Sequence, residues 1–199
     1  MIRLLLVRHG QSTWNAEERW QGHADPPLSA LGERQARAAA AATAALAPTA
    51  VMSSDLARAR LTAELIAPAG MLPSVQPALR ERDVGEWTGL TRTEINERYP
   101  GDLEGFRAPP GFENDESLLA RTLPALEAIA QRLGDDAVCV IVTHGGVIRS
   151  IERGLGAVPT PVPNLAGRWL HGSDGRLALG DREVLVDPND AALTVPEEE

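Results

Sequence analysis

The sequence predicts an α/β fold, an open and mostly parallel sheet flanked by helices on both faces. Short, nearly continuous aliphatic runs at residues 2–7, 50–52 and 137–142 read as strands buried on both faces. Long segments rich in Ala, Leu, Arg and Glu lie between them, bounded by residues that start and stop helices. The two kinds of segment alternate along the chain, as in βαβ units.

Each element has its own signal. The run at residues 2–7 stops at Arg8, His9 and Gly10. Ser29 precedes a helical segment reaching about residue 46, which Pro48 closes. Ser54 or Asp55 precedes a second one, closed by Pro68. "TRTE", residues 91–94, has the form of a capping box and predicts a short helix before Pro100. Residues 116–133 are helix-like, with Pro124 marking a restart, and a last helix follows Gly146. The Gly, Pro and acid-rich stretch 99–116, "YPGDLEGFRAPPGFENDE", reads as an irregular surface excursion and a candidate lid. After a stiff connection at 159–163, "GRWLHG", "GRLALG" and "EVLV" predict three short terminal edge strands. One domain is expected over residues 1–187, followed by a disordered acidic tail at 188–199. No internal repeat is present.

Composition narrows the function. The chain has 199 residues, enough for a single sizeable core, with 43% hydrophobic and 24% charged residues. A net charge of −9 argues against a nucleic-acid partner. All 19 basic residues are arginine, so Schiff-base chemistry and a phosphate loop ending in Lys-Ser/Thr are excluded. The single Cys139 sits in an apolar run as a small buried hydrophobe and cannot form an internal disulfide, which fits a reducing cytoplasm. The apolar stretch at residues 4–7 is too short for a signal-peptide core, and no segment is long enough to span a membrane. The expected location is the cytoplasm, without membrane partners.

Open α/β sheets bind ligands beyond the carboxyl ends of their strands. Arg8 and His9 follow the first strand, Ser53 and Ser54 the second, and Thr143 and His144 the strand containing Cys139, so the three clusters are expected to converge. Arginine offers a fork of donors that matches phosphate oxygens, and Gly10 is expected to let backbone amides approach an anion. Histidine adds a nucleophile that can accept a phosphoryl group and pass it to water. Such a site requires no metal, and no spacing among the four histidines resembles a zinc site.

"LVRHGQSTWN" resembles the signature of the histidine phosphatase superfamily, which includes the cofactor-dependent phosphoglycerate mutases. "QGHADPPLSALGERQA", "SSDLARARLTAELI", "LRERDVGEWTGL" and "VIVTHGGVIR" are similar to that family's later motifs, in the family's order from residue 4 to residue 149. The resemblance implies a phosphoglycerate mutase-like fold. It also implies that His9 becomes phosphorylated, that Arg8, Arg58 and His144 bind the phosphoryl group, and that Glu81 is the general acid. Ser12, Asn15, Gln21 and Gly22 match positions lining the phosphate or substrate pocket. Without the family pattern, Glu81 competes with Asp83 and Glu86 for the acid's role. Arg60 is expected in solvent, His23 and His171 at the surface, and the four tryptophans in packing, with Trp87 bordering the pocket.

Within the family, 62 residues between Glu81 and His144, the absence of lysine for a substrate carboxylate, and Val84 where mutases place a tyrosine favour hydrolysis over transfer. "GEWTGL" and the acidic "NDES" look like the phosphatase branch, although "PPGFENDES" departs from that branch's Pro-Gly-Gly-Glu-Ser stretch. The expected protein is a metal-independent phosphomonoesterase, without cofactor, acting on a small phosphate ester through phospho-His9. A phosphoglycerate mutase is one alternative, and a catalytically idle phosphate-binding or protein-interaction module is another. The sequence carries no sign of oligomeric state.

Overall fold

In the computed structural model, which describes residues 1–105, 107–173 and 175–187, the aliphatic runs resolve into two alternating faces. Along β1 (Ile2–Arg8), Ile2, Leu4 and Leu6 join one buried cluster while Leu5 and Val7 join another. β4 (Val138–Thr143) divides in the same way, with Cys139 and Ile141 on the first face and Val138, Val140 and Val142 on the second. A strand whose two faces are both covered needs no polar residue, which is why alternation is invisible in these runs.

Among the described residues the sheet has six strands. Its order is β3 (Ser74–Val75), β2 (Ala50–Ser53), β4, β1, β5 (Ala166–Ser173) and β6 (Arg176–Val184). The first four are parallel, and β5 and β6 form an antiparallel hairpin beside β1. Following α1 (Thr13–Ala16), the helices α2 (Ala30–Ala45) and α3 (Ala57–Ile66) cover the face of Leu5 and Val7 through Ala36, Ala39, Ala59, Ala63 and Ile66. Past the short α4 (Arg92–Arg98), α5 (Asp115–Leu133) and α6 (Gly145–Gly154) cover the other face with Leu118, Leu126, Ile129, Val147, Ile148 and Ile151. Each such buried aliphatic side chain contributes about 1.5–3 kcal/mol. The chain leaves β1 toward β2 and leaves β4 toward β5, so the seam between β1 and β4 is the point where the winding reverses and a crevice opens.

Local signals hold with three corrections. Ser29 caps α2 through Gly32 N, and Thr91 and Glu94 form the expected capping box on α4. Neither Ser54 nor Asp55 caps α3: Ser54 bonds His144, Asp55 pairs with Arg80, and Asp25 Oδ1 accepts the Ala57 amide from another loop. Pro124 does not restart α5, which runs unbroken from Asp115. The buried Leu118, Thr122, Leu126 and Ile129 anchor the helix on both sides of the missing N–H. The expected three terminal strands are two, because β6 absorbs "GRLALG" and the first half of "EVLV". Leu185 and Val186 then turn inward to the core, with Leu185 N donating to Leu165 O at 2.9 Å.

The expected surface excursion is a series of turns. Its Tyr99, Leu103 and Phe112 pack on a third cluster of Trp20, Val84, Trp87, Leu90 and Ile95. The tail at 188–199 lies outside the described residues. Among the described residues, no helix is long and apolar enough to cross a membrane.

Candidate active site

Strand register assembles the site. Arg8 lies opposite Thr143 in the parallel β1/β4 pair, so the next residue of each strand, His9 and His144, emerges at the same level of the sheet. His9 N donates to Thr143 O at 3.0 Å, Ser54 N donates to Val142 O at 3.0 Å, and the two imidazole centroids are 5.1 Å apart. The three strand-end clusters therefore meet at one edge, as the sequence predicts.

His9 is fully buried, and its Nδ1 lies 2.7 Å from Gly10 O. A carbonyl only accepts, so Nδ1 carries the ring proton and Nε2 keeps the lone pair. The backbone of this residue is held as well: Asn164 Nδ2 donates to His9 O at 2.7 Å, and Leu165 N donates to Arg8 O at 3.0 Å. Arg8 is 2% exposed and Arg58 0%, which places two guanidinium groups away from water. Arg8 donates to Val162 O at 2.8 Å, while Arg58 donates to Ala24 O at 2.8 Å and Gly22 O at 3.1 Å. Burying such charges is costly, so their hydrogen bonds and neighbouring groups matter more here than at the surface.

His144 is fully buried too, and its Nε2 meets Ser54 Oγ at 2.7 Å. Burial, and after it the charges of Arg58, His9, Arg8 and Arg121, hold its pKa well below the usual histidine value. The ring is neutral near pH 7, so it can donate one hydrogen bond without adding a third buried positive charge.

The three candidate acids separate by environment. Glu81 is 3% exposed, and its carboxylate accepts from Arg82 N at 2.8 Å and from Gly146 N, at the start of α6, at 3.1 Å. Asp83 is 44% exposed and Glu86 bonds Tyr99 Oη at 2.9 Å, so both belong to the surface. A Cβ at position 146 would overlap Glu81 Oε1, closer than 3.0 Å, so only glycine leaves room for the carboxylate there.

Of the four looser positions, Gln21 and Gly22 line the inner cleft beside Glu81, Gly146 and Arg149. Ser12 and Asn15 form the capping box of α1, and Ser12 Oγ donates to Gln21 Oε1 at 2.8 Å, so these two support the cleft through Gln21. Gly10 departs from expectation: its amide donates to Thr62 Oγ1 at 3.1 Å. Its missing side chain instead makes room for Gly32, whose carbonyl a Cβ would strike at 2.6 Å.

The outer cleft, about 400 Å³, is walled by Trp20, Trp87 and Phe112 in successive edge-to-face contacts with centroids 5.2 and 5.6 Å apart. Trp20 thus joins Trp87 at the pocket, where only Trp87 was expected. Arg60 is exposed as expected. His23 is not a plain surface residue: half-buried, it donates from Nε2 to Glu81 O at 2.8 Å.

Sequence reasoning also misses Arg121, which donates to the carbonyls of Ala78, Arg80 and Glu81 at 2.8–2.9 Å and pairs with both Glu113 oxygens at 2.7 and 2.8 Å. Within "PPGFENDES", Glu113 is the carboxylate that Arg121 holds, and Asn114 caps α5 by accepting from Ser117 N at 2.8 Å. The signal was available as a Glu just ahead of the α5 cap and an Arg eight residues later inside the helix.

Comparison with known proteins agrees with this geometry. Residues 4–165 match the model of the histidine phosphatase superfamily (branch 1). The chain is 37% identical to a glucosyl-3-phosphoglycerate phosphatase of Mycolicibacterium vanbaalenii, covering 93% of this chain and 90% of that one. It is also 37% identical to a metal-independent phosphoserine phosphatase of Arabidopsis thaliana, covering 94% and 80%. The solved structure of mycobacterial glucosyl-3-phosphoglycerate phosphatase in complex with VO3 superposes with a TM-score of 0.82, at 32% identity over 92% of this chain and 99% of that one. The fold, the strand-end cluster and these relationships together show that the chain belongs to the histidine phosphatase superfamily (branch 1) and is a phosphoric monoester hydrolase.

Proposed function

We propose that the protein hydrolyses small phosphomonoesters in two steps through a phosphohistidine on His9. The observation that carries the reading is the His9 ring, whose Nδ1 is committed to Gly10 O so that Nε2 presents its lone pair at the Arg8, Arg58 and His144 cluster. In the first step Nε2 forms a bond to phosphorus, the ester P–O bond breaks, and the departing alkoxide takes a proton from Glu81. Arg8, Arg58 and neutral His144 donate to the phosphoryl oxygens as charge builds on them. In the second step water attacks phosphorus and gives its proton to the Glu81 carboxylate. The P–N bond breaks, and inorganic phosphate leaves. Gln21 and Gly22 border the entry of the ester, with Ser12 and Asn15 behind Gln21.

The relatives' names support a small phosphate ester as substrate, and the absence of lysine together with the short Glu81–His144 spacing favours water over transfer to a second substrate. The test is phosphate release from a panel of phosphomonoesters in the presence of chelator. Turnover that persists with chelator and disappears in His9→Ala supports the reading. Wild-type protein that releases no phosphate, or His9→Ala that retains turnover, refutes it.

A further inference from the structure

The phosphohistidine mechanism makes no use of Glu152, yet this carboxylate is 1% exposed in the last turn of α6, the helix that begins beside His144. Its two oxygens accept from Arg182 of β6, from Nε at 3.2 Å and from Nη2 at 2.7 Å. Arg182 stands opposite Arg168 in the antiparallel β5/β6 pair, and Arg168 Nε lies 3.8 Å from the same carboxylate. Like charges opposite each other in a sheet repel, so Glu152 is the counter-ion that lets both arginines share one face. A buried ion pair adds little net stability over apolar side chains of similar size, whereas a guanidinium fork fixes the direction of every group it bonds.

The rest of the Arg182 fork reaches the connection between α6 and β5. Residues 159–163 read Pro-Thr-Pro-Val-Pro, and the three prolines have no N–H to bring this stretch into a sheet or helix. Arginine side chains meet its carbonyls instead. Arg182 donates from Nη2 to Thr160 O at 3.1 Å and from Nη1 to Pro161 O at 3.0 Å. The next carbonyl, Val162 O, accepts from Arg8 Nη1 at 2.8 Å. Three consecutive carbonyls therefore link the edge strand to Arg8. The prolines on either side of Val162 fix φ at 161 and 163, so a displacement of the first two carbonyls is carried to the third rather than absorbed between them.

We propose that Arg182 is a positioning residue for Arg8, acting through the Thr160, Pro161 and Val162 carbonyls, and that Glu152 holds the Arg182 fork in place for that task. The inference rests on the reading of Arg8 as a phosphoryl-binding group. Arg182 itself is remote from the chemistry, on the outermost strand and with a side chain 33% exposed. Without it the connection relaxes, Val162 O shifts, and the Arg8 guanidinium loses the alignment with which it meets charge building on the phosphoryl oxygens.

The test is a double-mutant cycle on p-nitrophenyl phosphate hydrolysis, with the urea midpoint of each variant measured alongside. Arg182→Met is expected to lower kcat/KM about tenfold in the wild-type chain, and by less than about twofold once Arg8→Met has removed the group it positions. Equal losses in the two backgrounds overturn the proposal, because a merely structural Arg182 acts independently of Arg8. Arg182→Lys keeps the charge beside Glu152 but not the fork that spans two carbonyls, so it should lose about fivefold in kcat/KM at a urea midpoint near wild type. If Arg182→Met does not fold, the cycle is run with the lysine variant. The same cycle is read without turnover as the Kd of inorganic phosphate by calorimetry, which decides the matter if wild type hydrolyses no ester. An Arg8→Met variant with wild-type kcat/KM and phosphate Kd refutes the phosphoryl-binding reading of Arg8, and the proposal with it. A large loss in Arg8→Met beside Arg182 variants that match wild type refutes the positioning alone.

Discussion

Gly146→Ala isolates the contact between the helix α6 entry and the carboxylate of Glu81. An added Cβ overlaps Glu81 Oε1 and stands 3.1 Å from its Cδ, and the amide that now holds the carboxylate at 3.1 Å sits on the same residue. The carboxylate cannot stay in place, and a displacement on the order of 1 Å at a proton-transfer group lowers kcat about 100-fold. The helix itself gains roughly 1 kcal/mol from Ala over Gly, which offsets part of the clash and keeps the variant folded. The assay is kcat on two esters, an alkyl ester whose alkoxide needs a proton and p-nitrophenyl phosphate, whose phenolate leaves without one. The alkyl ester should lose about 100-fold and the aryl ester less than a tenth of that loss. Equal losses would mean that Glu81 is not the acid, and an alkyl ester kcat within twofold of wild type would refute the geometric reasoning altogether.

Three other outcomes follow from the same structure. Arg121→Met removes both charge-assisted bonds to the Glu113 carboxylate and the donor to the Ala78, Arg80 and Glu81 carbonyls, of which Glu81 O keeps its bond from His23, costing about 2–3 kcal/mol in denaturant unfolding, and Glu113→Gln in the same chain should recover part of the loss. Kinetically, Arg121→Met should lower kcat more than it changes KM, because the strut holds the Glu81 segment. The depressed His144 pKa also links pH to stability. Between the ordinary histidine value of about 6.5 and the lower native value, the unfolded chain binds a proton at this residue that the native chain does not, so stability falls as pH falls, by up to about 1.4 kcal/mol per unit. Urea midpoints measured from pH 7.5 to 5.5 on wild type and His144→Gln should differ in slope by that one proton, and parallel slopes would count against a neutral His144.

The main architecture was legible because it depends on local patterns. Three short, nearly continuous aliphatic runs read as strands covered on both faces, and the candidate chemical residues stand within two positions of the end of each run. Five motifs in order then pointed to Arg8, His9, Arg58, Glu81 and His144 as one set; the strand register brings the segments of Arg8, His9 and His144 together, and Gly146 N holds Glu81 at the start of the helix that follows His144. What escaped was whatever depends on a partner distant in sequence. Ser54 looked like a helix cap because its bond to His144, 90 residues away, leaves no local trace. Gly10 looked like an anion-binding glycine because its close approach to Gly32 requires knowing how α2 packs. Asp25 replaces the missing α3 cap from 32 residues away, and Arg121 supports Glu81 from 40. The division of "EVLV" between an exposed strand and the core likewise depends on Leu165, whose carbonyl turns Leu185 inward.

The central place of β1 has a consequence for when the enzyme becomes competent. This strand lies between β4 and β5, and its Arg8 and His9 are fastened by Val162 and Asn164, 154 and 155 residues farther along. Closing so long a loop is an entropic cost that only the finished sheet can offset. During synthesis, β1 has neither neighbour until β4 and the β5 hairpin have emerged. A nascent chain or a fragment ending before residue 162 therefore has the nucleophile and lacks the frame that aims it. Activity should recover in refolding with the final phase, after helix signals have returned, so that catalysis reports completion of the fold and partly folded chains leave the cell's phosphate esters untouched.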